Sequence, residues 1–233
     1  MPATTPKSAF WTGFRDGLPF LLVLLPFGIL FGVTATEAGL NVLETMMFTI
    51  VVIAGASQFT ALQLMTDNTP TLIVLATALA ENLRMAMNSA SLTPALGGAS
   101  VWQRGFIAYF LVDATYACAV TRFESEPDWA LPQRTAYFFG TVLAVCPAWY
   151  LLTLAGALIG SAIPGWLALD FAVPICFLAM IGPMLRTVAH LAAALTSVTL
   201  ALVLAFIPYS MGLLIAAVVA MMVGAYVETR TAS

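Results

Sequence analysis

Long apolar segments, separated by short polar connections, follow one another along almost the whole chain. Each is long enough, or nearly so, to cross a hydrocarbon core of about 30 Å as a helix rising about 1.5 Å per residue. The predicted spans are residues 17–36, 46–65, 71–92, 105–121, 136–160, 169–185, 191–206 and 209–226. The pattern therefore predicts an all-α bundle of about eight transmembrane helices, or seven if the last two form one kinked or re-entrant element.

Composition assigns the chain to the integral membrane proteins. Apolar residues make up 61% of the sequence and charged residues 8%, whereas soluble domains contain about 25% charged residues. The net charge of −3 is too small to indicate a nucleic-acid partner. No soluble fold is compatible with this composition.

The second predicted span carries polar and small residues at its centre, in the run Gly55-Ala56-Ser57-Gln58-Phe59. Burying an amide without hydrogen bonds costs a few kcal/mol, so Gln58 is expected to face other helices or a wet cavity rather than lipid. Gly55 either lets another backbone approach closely or allows the helix to open. In transporters, opened backbone at this depth binds substrate.

The third span carries a polar stripe at helical spacing, made of Thr77, Glu81, Arg84, Asn88 and Ser91. Glu81 and Arg84 can pair across one turn, either as an ion pair that locks two helices together or as groups that serve a substrate or a proton. Asp113 in the fourth span is a second candidate for an inward-facing titratable group. It can equally pair with Arg84 as a structural contact.

We treat residues 1–233 as a single membrane transport domain in which a hydrophilic connector, residues 122–135, separates two halves. A shift of 121 residues places Pro26 on Pro147 and Gly39 on Gly160. This weak match suggests two parallel four-helix repeats, residues 17–121 and 136–226. The second helix of each repeat would then be interrupted near mid-membrane, because residues 55–59 fall on residues 176–180.

The basic residues predict the orientation of the chain in the membrane. With eight spans, the segments on one side hold Lys7, Arg15, Arg122, Arg134, Arg186 and Arg230, and those on the other side hold Arg104. The positive-inside rule therefore places both termini in the cytoplasm.

Enzyme motifs are absent from the sequence: it contains no GxGxxG, Walker, HExxH or GxSxG pattern, so we expect no enzymatic activity and no cofactor. Cys118, Cys146 and Cys176 lie far apart in apolar segments without histidine at ligand spacing, which favours packing over a metal or redox site. A channel for small polar solutes remains an alternative, although no filter-like pattern is visible.

The run Ala54-Gly55-Ala56-Ser57-Gln58-Phe59, followed by Asn82-Leu83-Arg84 and by Ser89-Ala90-Ser91-Leu92, resembles the AzlC family of branched-chain amino acid permeases. The resemblance extends over about residues 13–186. Met85 stands where many members of that family have His or Tyr, so a role for such a ring is not carried over.

The resemblance implies a permease subunit of the bacterial cytoplasmic membrane that exports valine, leucine or isoleucine. Methionine is a further candidate, because one methylene is worth only about 1 to 3 kcal/mol in discrimination among aliphatic tails. It also implies a heteromeric complex with a small AzlD-like membrane subunit. We expect the substrate-binding residues to be Gly55, Ala56, Ser57, Gln58, Phe59, Asn82, Arg84 and Asn88. We expect proton coupling through Glu81 or Asp113, with Arg84 as counter-ion or carboxylate ligand. The alternative is an accessory subunit whose partner forms the path.

Overall fold

The computed structural model describes residues 5–160, 185, 187–207 and 211–231, and every regular element among them is helical. In chain order the helices are α1 (Pro6–Gly17), α2 (Leu21–Glu37), α3 (Val42–Val51), α4 (Gly55–Thr66), α5 (Thr71–Leu96), α6 (Val101–Tyr109), α7 (Asp113–Ser125), α8 (Leu131–Gly160), α9 (Val188–Val203) and α10 (Met211–Thr231). A 3₁₀ turn at Leu18–Phe20 joins α1 to α2 without a break.

The centre of the fold is the contact of α1 and α2 with α8, which run side by side along their length. Gly13 lies against the backbone of Tyr137, and Gly32 lies against the backbone of Thr153. From the α8 side, Gly156 lies against the backbone of Ile29. Residue 13 meets residues 137 and 141, and residue 32 meets residues 153 and 157, so the two segments are parallel. A side chain at any of these glycines would collide with the facing backbone, so glycine permits the close approach.

Several other helices pack on this centre or on one another. The helices α3 and α7 pack on α8, α4 packs on α2 and α5, and α9 packs on α10. An aromatic cluster of Phe27, Phe31, Phe59 and Trp149 fills the space between α2, α4 and α8. Much of α5 faces outward through apolar side chains such as Leu72 and Leu79, which are 79% and 68% exposed, as expected of a lipid-facing helix.

Three of the described helical segments are both long and apolar enough to cross a membrane: Pro6–Glu37, Leu131–Gly160 and Met211–Arg230. Two other predicted spans are each divided into two shorter helices. The predicted helix at residues 46–65 is interrupted at residues 52–54, just before Gly55. The prediction of one helix over residues 105–121 is wrong, because α6 ends at Tyr109 and α7 begins at Asp113.

Other boundaries also differ from the sequence prediction. The connector is shorter than residues 122–135, because α7 continues to Ser125 and α8 already begins at Leu131. The predicted span at residues 169–185 falls outside the described residues, apart from residue 185, as do Cys176 and residues 176–180. The number of eight spans and the two repeats therefore stay predictions.

Candidate functional site

The first helix break places the beginning of α4 inside the bundle. Val52 and Ala54 have extended backbone, with φ/ψ of −118/84 and −142/91, between α3 and α4. The first helical hydrogen bond of α4 is from the Gln58 N–H to the Ala54 carbonyl, 2.9 Å. The N–H groups of residues 55–57 consequently have no acceptor within the helix and carry the positive end of its dipole.

The second helix break, at residues 110–112, has its own local cause. The Thr115 hydroxyl accepts a hydrogen bond from the Val112 N–H, 3.0 Å, and donates to the Phe110 and Val112 carbonyls, both at 2.9 Å. The side chain thereby replaces helical hydrogen bonds and caps the start of α7. Asp113 occupies the first turn, where the helix dipole favours a negative charge.

A tyrosine hydroxyl joins the two breaks. Tyr109, the last residue of α6, donates to the Ile50 carbonyl at 2.5 Å, in the last turn of α3. Its hydroxyl also lies 2.9 Å from the Tyr150 hydroxyl on α8. Carbonyl groups in the last turn of a helix lack helical donors, so the broken α3 supplies the acceptor that Tyr109 uses.

Two side-chain hydrogen bonds connect α4 with α5. The Asn82 amide Nδ2 donates to Ser57 Oγ at 3.2 Å, and the Thr60 hydroxyl donates to Glu81 Oε1 at 2.7 Å. Glu81 Oε2 is buried and has no partner among the described residues. Ser57 and Thr60 are one turn apart on α4 and thus present one polar face to Glu81 and Asn82.

Gln58 points to a different side of α4 from Ser57. The side chain is fully buried, and its Nε2 donates to the Thr49 hydroxyl at 2.9 Å. The Trp149 indole N–H donates to the same oxygen at 3.0 Å. Gln58 Oε1 and the Thr153 hydroxyl, both buried, have no partner among the described residues. The interior next to the first break therefore offers unsatisfied polar atoms, which normally mark a bound water, ion or ligand.

Arg84 forms an ion pair with Asp113 rather than with Glu81. Arg84 Nη2 lies 2.9 Å from Asp113 Oδ2, and the two side chains are about half exposed, 47% and 52%. The pair links the middle of α5 to the start of α7 beside the second break. Asn88, one turn beyond Arg84 on α5, is half-buried.

The predicted site residues thus lie around one region but fall into three contacts: Ser57 with Asn82, Gln58 with Thr49, and Arg84 with Asp113. Phe59 belongs to the aromatic cluster instead of a polar chamber, with its ring 5.0 Å from Phe27 and 5.3 Å from Phe31. Gly55 and Ala56 are half-buried at the start of α4.

Sequence reasoning missed Thr49, Thr60 and Trp149, which bind candidate residues or their partners, and Tyr109, which joins the two breaks. Their separation in sequence from the residues they contact hid them, since Thr49 and Trp149 are 100 positions apart. One feature of the sequence indicates the second break: Asp113 is an acidic residue within an apolar segment, and acidic residues are typical of a helix N-terminus. In the described part of the chain, no group of three His, Cys, Asp or Glu side chains comes together as a metal site requires.

Comparison with known proteins agrees with this helical membrane architecture. The sequence model of the AzlC protein family matches residues 19–163, which include both breaks and α5. This chain belongs to the AzlC family.

The chain is also similar to individual membrane proteins. It is 26% identical to the inner membrane protein YgaZ of Escherichia coli K12 over 193 residues, covering 77% of the chain and 75% of YgaZ. It is 27% identical over 206 residues, 87% of each sequence, to an uncharacterized membrane protein of Archaeoglobus fulgidus. No solved structure matches it significantly. With the apolar helices, these relatives support a multi-pass membrane protein with a transport-related role.

Proposed function

We propose that this AzlC protein is a subunit of a secondary transporter that exports branched-chain amino acids, and that the breaks beside α4 and α7 form its substrate site. The observation that carries the proposal is the positive end of α4 beside the Ser57–Asn82 contact. Half-helix ends near mid-membrane are the recurrent ion and substrate sites of transporters. No enzymatic activity forms part of the proposal.

A zwitterionic substrate matches the chemistry of the two breaks. The free N–H groups of residues 55–57 suit its carboxylate, and the carbonyl groups at the end of α3 suit its ammonium group. Asn82 and Ser57 would exchange their mutual hydrogen bond for bonds to the substrate. Selection among aliphatic tails is expected to be modest, because one methylene in an apolar pocket is worth about 1 to 3 kcal/mol.

Glu81 is a better candidate than Asp113 for proton coupling. Its Oε1 accepts from Thr60 on α4, next to the Ser57–Asn82 contact, and its Oε2 is buried without a donor among the described residues. Asp113, in contrast, is about half exposed and lies in an ion pair with Arg84, away from the α4–α5 contact. We therefore propose that Glu81 takes up and releases the proton while Arg84 serves as counter-ion to Asp113 or as carboxylate ligand.

An efflux assay tests the function directly. Cells lacking their own exporters are loaded with a valine-containing dipeptide, and valine release is followed with the wild-type chain, Ser57→Ala, Asn82→Ala and the distant control Thr196→Ala. We expect the first two substitutions to reduce release and the control to behave as wild type. Valine release no faster than in cells without the chain would contradict the proposal.

The same assay addresses the small AzlD-like subunit that we propose as a partner. Efflux is measured with the chain alone and with the pair. Release by the chain alone would exclude the reading in which this protein is only an accessory to a path formed by its partner.

Proton coupling is tested by comparing Glu81→Gln with Asp113→Asn. We expect Glu81→Gln to remove the dependence of valine export on the proton gradient, because the amide cannot bind the proton. Asp113→Asn should lower the rate by loosening the Arg84 contact but retain that dependence. Export by Glu81→Gln that still follows the gradient would show that the proton travels elsewhere.

A further inference from the structure

A cavity separate from the two helix breaks lies at the end of the bundle where α7 ends and α8 begins. Its volume is about 530 Å³, within the range of about 300 to 1,000 Å³ of small-molecule sites. It is lined by Arg15, Asp16, Pro19, Phe20, Ala117, Cys118, Thr121, Arg122, Ser125 and Tyr137. The lining therefore combines two cations and one anion with apolar and hydroxyl groups.

The charged groups of the cavity are only partly used by the fold. Arg122 Nη2 and the Tyr137 hydroxyl both donate to the same oxygen, Asp16 Oδ2, at 2.8 and 2.7 Å. Asp16 Oδ1 has no hydrogen-bond donor within the described part of the chain. Arginine has five N–H donors, so the bond to Asp16 leaves other donors of Arg122 available for hydrogen bonds to a ligand.

Arg15 adds a positive charge that no described acidic side chain neutralises. Its side chain is exposed and lines the cavity, and it takes part in neither of the two ion pairs seen at Arg84 and Arg122. With Asp16 offsetting Arg122, Arg15 leaves the cavity with a net positive charge. Because Arg15 takes part in neither ion pair, the N–H donors of its guanidinium are available to a ligand in the cavity.

We infer that this cavity is a second subsite for the zwitterionic substrate, with Arg15 and Arg122 binding the carboxylate and Asp16 Oδ1 accepting from the ammonium group. The inference rests on the proposed function. Charged hydrogen bonds of this kind are stronger than neutral ones and fix the orientation of the ligand. The apolar lining from Pro19, Phe20 and Ala117 suits an aliphatic tail.

The position of the cavity makes it a loading site for the central region. Ala117 lies about one helical turn, or about 6 Å along α7, from Asp113, which is the ion-pair partner of Arg84. The cavity therefore approaches the second break from the membrane face that carries Lys7, Arg15 and Arg122. The positive-inside rule assigns that face to the cytoplasm, where an exporter collects its substrate.

Transport kinetics from each membrane face test the subsite. Valine uptake is measured in inside-out and right-side-out vesicles with the chain and its small subunit, for wild type, Arg15→Gln, Arg15→Lys and the control Lys7→Gln. Lys7 is exposed on the same end of the bundle but does not line the cavity. We expect Arg15→Gln to raise KM about two- to fivefold from the cavity face alone, with kcat unchanged.

The remaining variants distinguish a specific contact between Arg15 and the substrate from a general effect of positive surface charge. Arg15→Lys should restore most of the affinity, and Lys7→Gln should leave KM unchanged. A KM for Arg15→Gln equal to that of Lys7→Gln, or raised equally from both faces, would overturn the subsite while leaving the transport function intact. Absence of valine transport by the wild-type pair would overturn both the subsite and the proposed function.

Discussion

At the scale of single residues, a threonine hydroxyl holds together the polar interior next to the first break. Thr49 accepts hydrogen bonds from both Gln58 and Trp149, which come from α4 and α8. All three side chains are buried. Loss of one acceptor would leave two buried donors unsatisfied, which costs more than the net value of the bonds themselves.

We predict that Thr49→Val lowers the free energy of unfolding of the purified protein by about 1 to 3 kcal/mol, because valine keeps the shape of the side chain but removes the hydrogen-bond acceptor. The temperature midpoint of unfolding in detergent is measured by size-exclusion chromatography of samples heated to increasing temperatures. Thr196→Val is the matched control, since the Thr196 hydroxyl bonds back to Ala192 of its own helix. Equal midpoints for the two variants would contradict the role of Thr49.

Tyr109 has a comparable role at the second break. Its hydroxyl touches both the Ile50 carbonyl and the Tyr150 hydroxyl, so it connects three helices through one oxygen. Such shared contacts make substitutions non-additive.

We predict that Tyr109→Phe and Tyr150→Phe each reduce stability, and that the double variant loses about 0.5 to 1.5 kcal/mol less than the sum of the two. Heat-induced unfolding of the four proteins of this double-mutant cycle gives the coupling energy. Tyr226→Phe, at an exposed position on α10, serves as the control. Strictly additive losses would show that the two hydroxyl groups act independently.

At the scale of helices, packing and interruption have different physical causes. The parallel contact of α1 and α2 with α8 depends on glycines whose neighbours are backbone atoms. The breaks depend on polar side chains and helix ends that satisfy one another, as at Thr115. Close backbone packing and polar contacts both hold the helices together in lipid, where the hydrophobic effect does not drive them to associate.

We predict that Gly32→Ala strongly lowers the amount of folded protein in the membrane, because the new methyl group would collide with the backbone of Thr153 and Ala157. Gly105→Ala is the control: a methyl group there meets nothing within 4 Å, and alanine favours the helix by about 1 kcal/mol. Folded yield of fluorescent fusions after detergent extraction checks the pair. Similar yields for both variants would argue against close backbone packing at Gly32.

At the scale of the whole molecule, the parallel α1–α2 and α8 segments constrain the topology. Both run in the same direction across the bundle, so the chain between them has to return to its starting side. Three crossings achieve this: the pair α3 and α4, then α5, then the pair α6 and α7. Together with the crossing of α1–α2, these make four crossings before α8 begins, which agrees with a parallel four-helix repeat; the repeat stays a proposal.

We predict that single cysteines introduced by Lys7→Cys, Asn68→Cys and Ala130→Cys react with an impermeant maleimide from the cytoplasmic side. Ala38→Cys and Gly98→Cys should react from the opposite side, because one predicted membrane crossing separates each labelled position from the next one along the chain. Native cysteines are first replaced by serine. Labelling of positions 7 and 130 from opposite faces would contradict the parallel arrangement.

The sequence by itself determined the membrane class, the all-helical architecture, the polar interruption at Gly55 and the likeness to the AzlC family. These features are local, because hydropathy and the spacing of polar residues are set by consecutive positions. The match to the family over residues 19–163 confirms the likeness.

Only the tertiary structure decided which polar groups meet. Arg84 pairs with Asp113 although Glu81 lies closer in sequence, and Glu81 instead accepts from Thr60 on the neighbouring helix. The contact of Thr49 with Trp149 and the cavity at Arg15 likewise depend on residues far apart in the chain. A one-dimensional pattern states which side chains must find partners, but the packing of neighbouring helices determines which partners lie within reach.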